Sequence, residues 1–327
     1  MSSTESLIRD VDRDFYDREI STFIPDRIYD AHTHLYHADH FAPAASQFPR
    51  VVGLSEYREL IDVLHPGRDV SALFIPMPGA KEHSESANEW IASQQAQDER
   101  SRGLFYFHAT DDPEWIRSEV KRLKLHGLKC YHITSAHRPT WESCIEDYLP
   151  EPVVKIANEE GWVITLHMVK SRAVADRENY EAIRNLCQRY PEMKLILAHS
   201  ARGFQPAHNL EGLPELQGLP NLFFDSSANC EALAHIAVLK ILGHEQFMYG
   251  SDFHVSHMRG RSLAVADTFL WLYEESPVWN EKHQSIEPVL IGLEHLRSLK
   301  WAAWSVGLSD SQIEDIFYRN AERLFEV

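Results

Sequence analysis

Eight short apolar runs recur along the chain with helix-like stretches between them, and no other feature limits the fold as strongly. They occupy residues 27–34, 70–76, 104–108, 127–133, 161–168, 194–200, 221–226 and 246–252. Most are hydrophobic throughout rather than at alternate positions, which is how a strand reads when helices cover both faces of its sheet. Helical stretches fall at 55–65, 84–102, 113–125, 151–160, 174–190 and 230–242, and Pro66-Gly67, Gly103, Pro191 and Gly243 close several of them. Asp111-Asp112-Pro113 opens one with a capping carboxylate and a proline in the first turn. The repeat predicts an α/β fold, a (β/α)8 barrel. An open doubly wound sheet uses the same alternation, but the count reaches eight and no Gly-x-Gly-x-x-Gly follows the first run. Residues 1–26 read as a charged N-terminal helical extension and 35–53 as a long loop above the first strand. Two helices at 287–305 and 309–325, within 286–327, close what reads as one domain over 1–327.

In such a barrel the functional residues gather at the C-terminal strand ends. The first run ends Asp30-Ala31-His32-Thr33-His34, and side chains two apart on a strand share a face, so His32 and His34 project together. The fifth ends in His167, the sixth in His199 and the eighth in Asp252. Any one of these is ordinary as a core histidine or a helix cap. Four strand ends delivering five such groups to one barrel mouth point to a metal site.

Composition narrows the rest. With 327 residues and 44% hydrophobic content there is ample material for a large core, and a formal charge of -17 argues against a nucleic-acid or anionic-membrane surface. The first twenty residues lack an apolar core and no stretch is long enough to span a bilayer, so a soluble cytoplasmic protein is expected. Cys130, Cys144, Cys187 and Cys230 are far apart and form no CxxC pair, which predicts buried thiols rather than disulfides or a zinc ribbon.

The motifs Asp30-Ala31-His32-Thr33-His34, Thr165-Leu166-His167, Leu197-Ala198-His199, Phe224-Asp225-Ser226-Ser227, Tyr249-Gly250-Ser251-Asp252-Phe253 and Tyr318-Arg319-Asn320-Ala321-Glu322-Arg323-Leu324-Phe325 resemble, in order, those of the amidohydrolase superfamily. The resemblance is to the amidohydrolase-2 branch, which includes aminocarboxymuconate semialdehyde decarboxylase and related metal-dependent hydrolases. It implies one divalent ion, most often zinc, held by His32, His34, His167 and Asp252, with His199 beside it as an acid/base or polarising group. Three imidazoles and a carboxylate suit zinc and leave a position for water. Asp252, touching ion and water, then moves the proton, and His199 hydrogen-bonds the oxygen that becomes negative.

Lys129 lies on the fourth strand, where other branches of the superfamily carry a carboxylated lysine bridging two ions. Here it reads as an ammonium that pairs with a substrate carboxylate or an acidic neighbour, a second ion being the alternative. Arg202, three residues after His199, is the candidate for binding a substrate carboxylate, whereas Lys170 and Arg172 read as surface charges. His108, His132, His137, His254 and His257 read as core or solvated groups near the mouth. The resemblance covers hydrolases and decarboxylases alike, but Ser200-Ala201-Arg202 departs from the glycine-rich step that the decarboxylases commonly carry after this histidine, so hydrolysis of a C–N or C–O bond (amide, lactone or ester) in a small metabolite, carboxylated or not, is expected. Metal-dependent non-oxidative decarboxylation is the runner-up, ahead of uronate-type isomerisation or a barrel that only binds a ligand. A small molecule is the expected partner, and a homodimer stays open. Trp301, Trp304, Ile313, Ile316, Phe317 and Leu324, at helical spacing, are read as packing against the barrel.

Overall fold

The computed structural model describes residues 7–41, 48–280 and 285–327. Parts of the expected N-terminal extension (1–6) and of the 35–53 loop (42–47) lie outside the described residues.

The strands are β1 (Arg27–Leu35), β2 (Asp69–Pro76), β3 (Arg102–Gly103), β4 (Phe105–Tyr106), β5 (Gly127–Cys130), β6 (Val163–Leu166), β7 (Lys194–Leu197), β8 (Leu222–Asp225) and β9 (Phe247–Met248). All pair in parallel, in the orders β1-β2-β3 and β4-β5-β6-β7-β8-β9. Backbone bonds join the two sheets at both seams. The third strand position is shared by β3 and β4, with Leu104 N–H donating to Phe74 O between them at 3.0 Å. At the other seam Ala31 N–H donates to Tyr249 O (2.9 Å) and Asp252 N–H to His32 O (2.7 Å). Eight parallel strand positions thus run around the (β/α)8 barrel that the repeat predicts.

Helices between the strands follow the predicted pattern with shorter ends. Asp112 caps the helix Pro113–Leu123, accepting from Glu114 N–H at 2.8 Å, and Gly161 in the left-handed region ends Glu151–Glu160. Cys130, Cys187 and Cys230 are buried and Cys144 is partly exposed, all as free thiols. No helix among the described residues is long and apolar enough to cross a membrane.

Three stretches differ from expectation. The eighth strand is only Phe247–Met248, and Asp252 sits beyond it in a left-handed residue, φ 57°. Residues 253–280, without an assignment from sequence, contain a hairpin of β10 (Gly260–Val265) and β11 (Thr268–Tyr273). Trp301 and Trp304 do not pack inward as expected. They are exposed, with the Arg297 and Lys300 side chains lying over their rings at 4.8 and 4.7 Å.

The N-terminal extension is tied to the hairpin's base. Arg259 meets Asp12 through both guanidinium nitrogens (3.0 and 2.5 Å) and also donates to Leu7 O and Pro288 O. Asp12 in turn accepts from Leu290 N–H. Both side chains are buried. Removing one partner strands the other charge, so Asp12→Ala should lower the unfolding free energy by about 3–5 kcal/mol in a denaturant titration.

A second test is pH. His65, His235 and His257 are fully buried, and burial holds them at about 3, 4 and 4 against an ordinary 6.5. The unfolded chain therefore binds more protons below 6.5, so this stability is intact above that pH and is lost as pH falls toward 4. The melting temperature should fall steadily across that window, and a flat profile would contradict the assignment.

Candidate metal centre

β1 is buried from Ile28 onward and delivers His32 and His34 to the mouth. His32 has a partner on β8 and His34 one just past the end of β5. The His32 Nδ1–H donates to Asp225 Oδ2 (2.9 Å), which leaves Nε2 facing the centre. His34 Nδ1 lies 3.5 Å from the Tyr131 hydroxyl, which itself donates to Pro76 O (3.0 Å), and His34 Nε2 is 3.4 Å from Asp252 Oδ1. His32, His34 and Asp252 each offer one ligand atom within 4.8 Å of the others. Asp30 braces this group from below: its carboxylate accepts from His32 N–H, Ser251 N–H, Ser251 Oγ–H and the Tyr57 hydroxyl, tying β1 to the turn that carries Asp252.

His199 stands on the other side of Asp252, with its Nδ1 3.9 Å from Oδ2. That Nδ1 also donates to Ser227 O at 3.0 Å, so Nε2 is the free ring nitrogen. The turn holding it is unusual: His199, Ser200, Ala201 and Arg202 all have φ between 52° and 59°. Each left-handed non-glycine residue costs about 1–2 kcal/mol. Bonds from outside the turn hold it there: His199 N–H to Asp225 (3.0 Å), Asn229 to His199 O (3.2 Å), Asn209 to Ser200 O (2.8 Å) and Ser200 Oγ with His235 (2.8 Å).

His167 is one ring removed. Its centroid is 5.1 Å from that of His199, as the His199 centroid is from His32, and it falls outside the three-residue group. Its buried Nδ1 has no hydrogen-bond partner among the described residues, and neither does Lys129 Nζ. Lys129 is fully buried, with Nζ 4.9 Å over the Tyr131 ring. Imidazoles, a carboxylate and an unsatisfied buried ring nitrogen fit a divalent transition-metal ion.

Electrostatics favour a neutral His32 and ionised Asp225 and Asp252. Burial, then the charge of Lys129, pushes His32 down to about 4. Burial pushes Asp225 and Asp252 upward, but the surrounding histidines and their hydrogen bonds outweigh it and hold both below the usual carboxylate range. Burial brings Lys129 down to about 8, against the pull of Asp225, Cys130 and Asp252.

Of the candidate substrate groups, Arg202 has one bond, Nη1 to Lys170 O at 2.7 Å, and lies over the Phe269 ring. Burial lowers its pKa, and it has no carboxylate partner among the described residues. Lys170 pairs with Asp176 and Glu178 but with its side chain only 11% exposed, unlike the surface charge expected, whereas Arg172, 41% exposed, pairs with Glu211 and Asp267. His257 Nε2–H donates to Leu60 O within the core, and His132 Nδ1 lies 3.0 Å from Thr140 Oγ1.

Sequence reasoning gave Asp225 no role beyond its motif. Yet it is the residue that orients His32 and holds the His199 backbone, and its place at the end of the seventh apolar run was the available signal. The aromatic side chains of Phe204, Phe269 and Trp271 near His199 were likewise not anticipated.

Known structures share this architecture at low identity. A 5-carboxyvanillate decarboxylase from Sphingomonas paucimobilis is 13% identical, with a TM-score of 0.53 over 93% of this chain and 100% of that one. A dihydroxybenzoic acid decarboxylase from Polaromonas sp. JS666, solved with bound manganese and the inhibitor 2-nitroresorcinol, is 16% identical, with a TM-score of 0.56 over 92% and 97%. A probable 2-pyrone-4,6-dicarboxylic acid hydrolase from Acinetobacter baumannii, with citric acid bound, is 13% identical, with a TM-score of 0.57 over 92% and 99%. No curated protein matches the chain by sequence. Residues 29–327 match the Amidohydrolase family model of the amidohydrolase-2 type, and the chain belongs to that family.

Proposed function

We propose that this chain is a metal-dependent hydrolase acting on a C–N or C–O bond, in an amide, lactone or ester, of a small carboxylated metabolite. One divalent ion, zinc in the first instance, would be held by His32, His34 and Asp252 with His167. The observation that carries the reading is the two-sided placement of Asp252, with Oδ1 3.4 Å from His34 Nε2 and Oδ2 3.9 Å from His199 Nδ1. One oxygen serves the ion and the other can hold a proton.

When bound, such an ion supplies Lewis acidity and lowers the pKa of water from about 15.7 toward about 7. Asp252, kept ionised by its neighbours, takes the proton of the attacking water and passes it to the leaving group. His199, with Nδ1 committed to Ser227, presents Nε2 to the substrate beside the oxygen that becomes negative, where it serves as the polarising group. Arg202 supplies a desolvated guanidinium for the substrate carboxylate, and Lys129 adds positive charge beneath it. A carboxylated Lys129 bridging two ions is the variant reading.

Non-oxidative decarboxylation is the second reading. Two similar structures are named as decarboxylases, one of them with manganese, which makes manganese the alternative ion. Turnover in 18O-labelled water separates the two. Hydrolysis gives product carrying one labelled oxygen, whereas loss of carbon dioxide without label in the remaining product would overturn the hydrolase proposal.

Metal content by elemental mass spectrometry should be close to one ion per chain and collapse in His34→Ala. Two ions per chain would favour the carboxylated lysine. Asp225→Asn leaves the ring of His32 without its carboxylate and should weaken metal affinity by about 10–100-fold in a competition titration. Asp252→Asn should retain the fold and lower turnover by about 10²–10⁴-fold.

A further inference from the structure

The centre is nearly sealed: His32 is 1% exposed, His199 5%, and His34 and Asp252 7% each. The β10–β11 hairpin spans the loops above it. At its base Gly260 N–H donates to Val289 O (3.0 Å), and Tyr273 O accepts from Ser276 N–H (2.9 Å) and Trp279 Nε1 (2.8 Å). Along its length it meets the loop after β8, where Ser262 Oγ accepts from Cys230 N–H and Glu231 accepts from Ala264 N–H. At its tip it reaches the segments after β7 and β6. Gln205 Nε2 donates to Ala266 O (2.6 Å), His208 Nε2 lies 2.9 Å from Asp267 Oδ1, and Arg172 Nε lies 3.6 Å from Asp267 Oδ2. Starting after the eighth strand position, the hairpin thus touches segments following the seventh, sixth and fifth.

Its two faces differ. Phe269, Trp271 and Tyr273 alternate along β11 and share one face. Phe204 stacks on Phe269 (4.7 Å), meets Trp271 edge-on (5.3 Å) and lies 5.5 Å from the His199 ring. Leu263 and Leu270, directly paired on the other face, are exposed. A two-stranded ribbon is marginal alone in water. This one is held at its tip by four polar contacts, from Gln205 Nε2 to Ala266 O and Thr268 O and from His208 and Arg172 to Asp267, which is 68% exposed. Such a segment opens at a lower free energy than strands buried on both faces.

We infer that the hairpin Gly260–Tyr273 is the gate of the site. It swings on its base when the tip releases Gln205, His208 and Arg172, and a ligand or ion enters beneath its aromatic face. The metal-release measurement rests on the hydrolase reading above, whereas amide exchange does not.

The test is hydrogen-exchange mass spectrometry on the full chain, wild type, Asp267→Ala and Gln205→Ala, beside the rate at which a chromogenic chelator captures zinc from the loaded protein. Peptides covering 260–273 should exchange before those of β6 and β7. Each variant should speed that exchange, and zinc capture with it, by about tenfold, with melting temperature and zinc stoichiometry unchanged. Slow exchange of 260–273 matching the barrel strands, or unchanged rates in both variants, would overturn the gate. If the protein takes up no zinc, the metal reading fails by itself and the exchange rates alone decide the gate.

Discussion

The carboxylate of Asp225 is the interaction on which the centre's geometry depends. One oxygen fixes the ring of His32, and the other accepts from the His199 backbone and from both N–H and Oγ–H of Ser227. Ser227 then sets the tautomer of His199. A single buried charge on β8 therefore aligns groups from β1 and from the turn after β7. Asp30 does the corresponding work between β1 and Asp252. The ligand atoms are thus placed by carboxylates that do not belong to the group of possible ligands, which is what a preorganised metal site requires.

The barrel was readable from the chain because its strands are covered on both faces. Such strands appear as apolar runs, and a polar residue at the end of one stands out, as His32, His34, His167 and His199 do. Asp252 was found by the same logic, although its strand is only two residues long and the aspartate lies in the turn beyond. The motif and its position survived an error in the secondary structure.

What stayed hidden depends on partners distant in sequence. The left-handed turn His199–Arg202 contains no glycine, and its conformation is imposed by Asp225, Asn209, Asn229 and His235. The hairpin lacks the Asn-Gly or Asp-Gly signal of a tight turn and places Ala266 at φ 50° instead. Its strand Thr268–Tyr273 is apolar at nearly every position because one face meets Phe204 while the other exposes Leu270, so no two-residue alternation marks it. The exposure of Trp301 and Trp304 was concealed in the same way: their spacing suits a buried face, but the Arg297 and Lys300 side chains cover them.

Lys129 shows how the charge of the site constrains what can bind there. The buried carboxylates around it are Asp225 and Asp252, and the histidines are held neutral where burial acts on them. A divalent ion offsets those two carboxylates, which leaves the lysine's charge in excess in a region where an uncompensated charge is costly. Two states relieve the excess: the amine loses its proton, toward which burial already moves it, or an anion arrives from outside. A substrate carboxylate would meet the second condition, and Arg202, half-buried and without an acidic partner among the described residues, would add to the same demand. On the proposed reading, with a divalent ion bound, the positive charge of Lys129 and Arg202 in a chain with a formal charge of -17 would favour an anionic ligand.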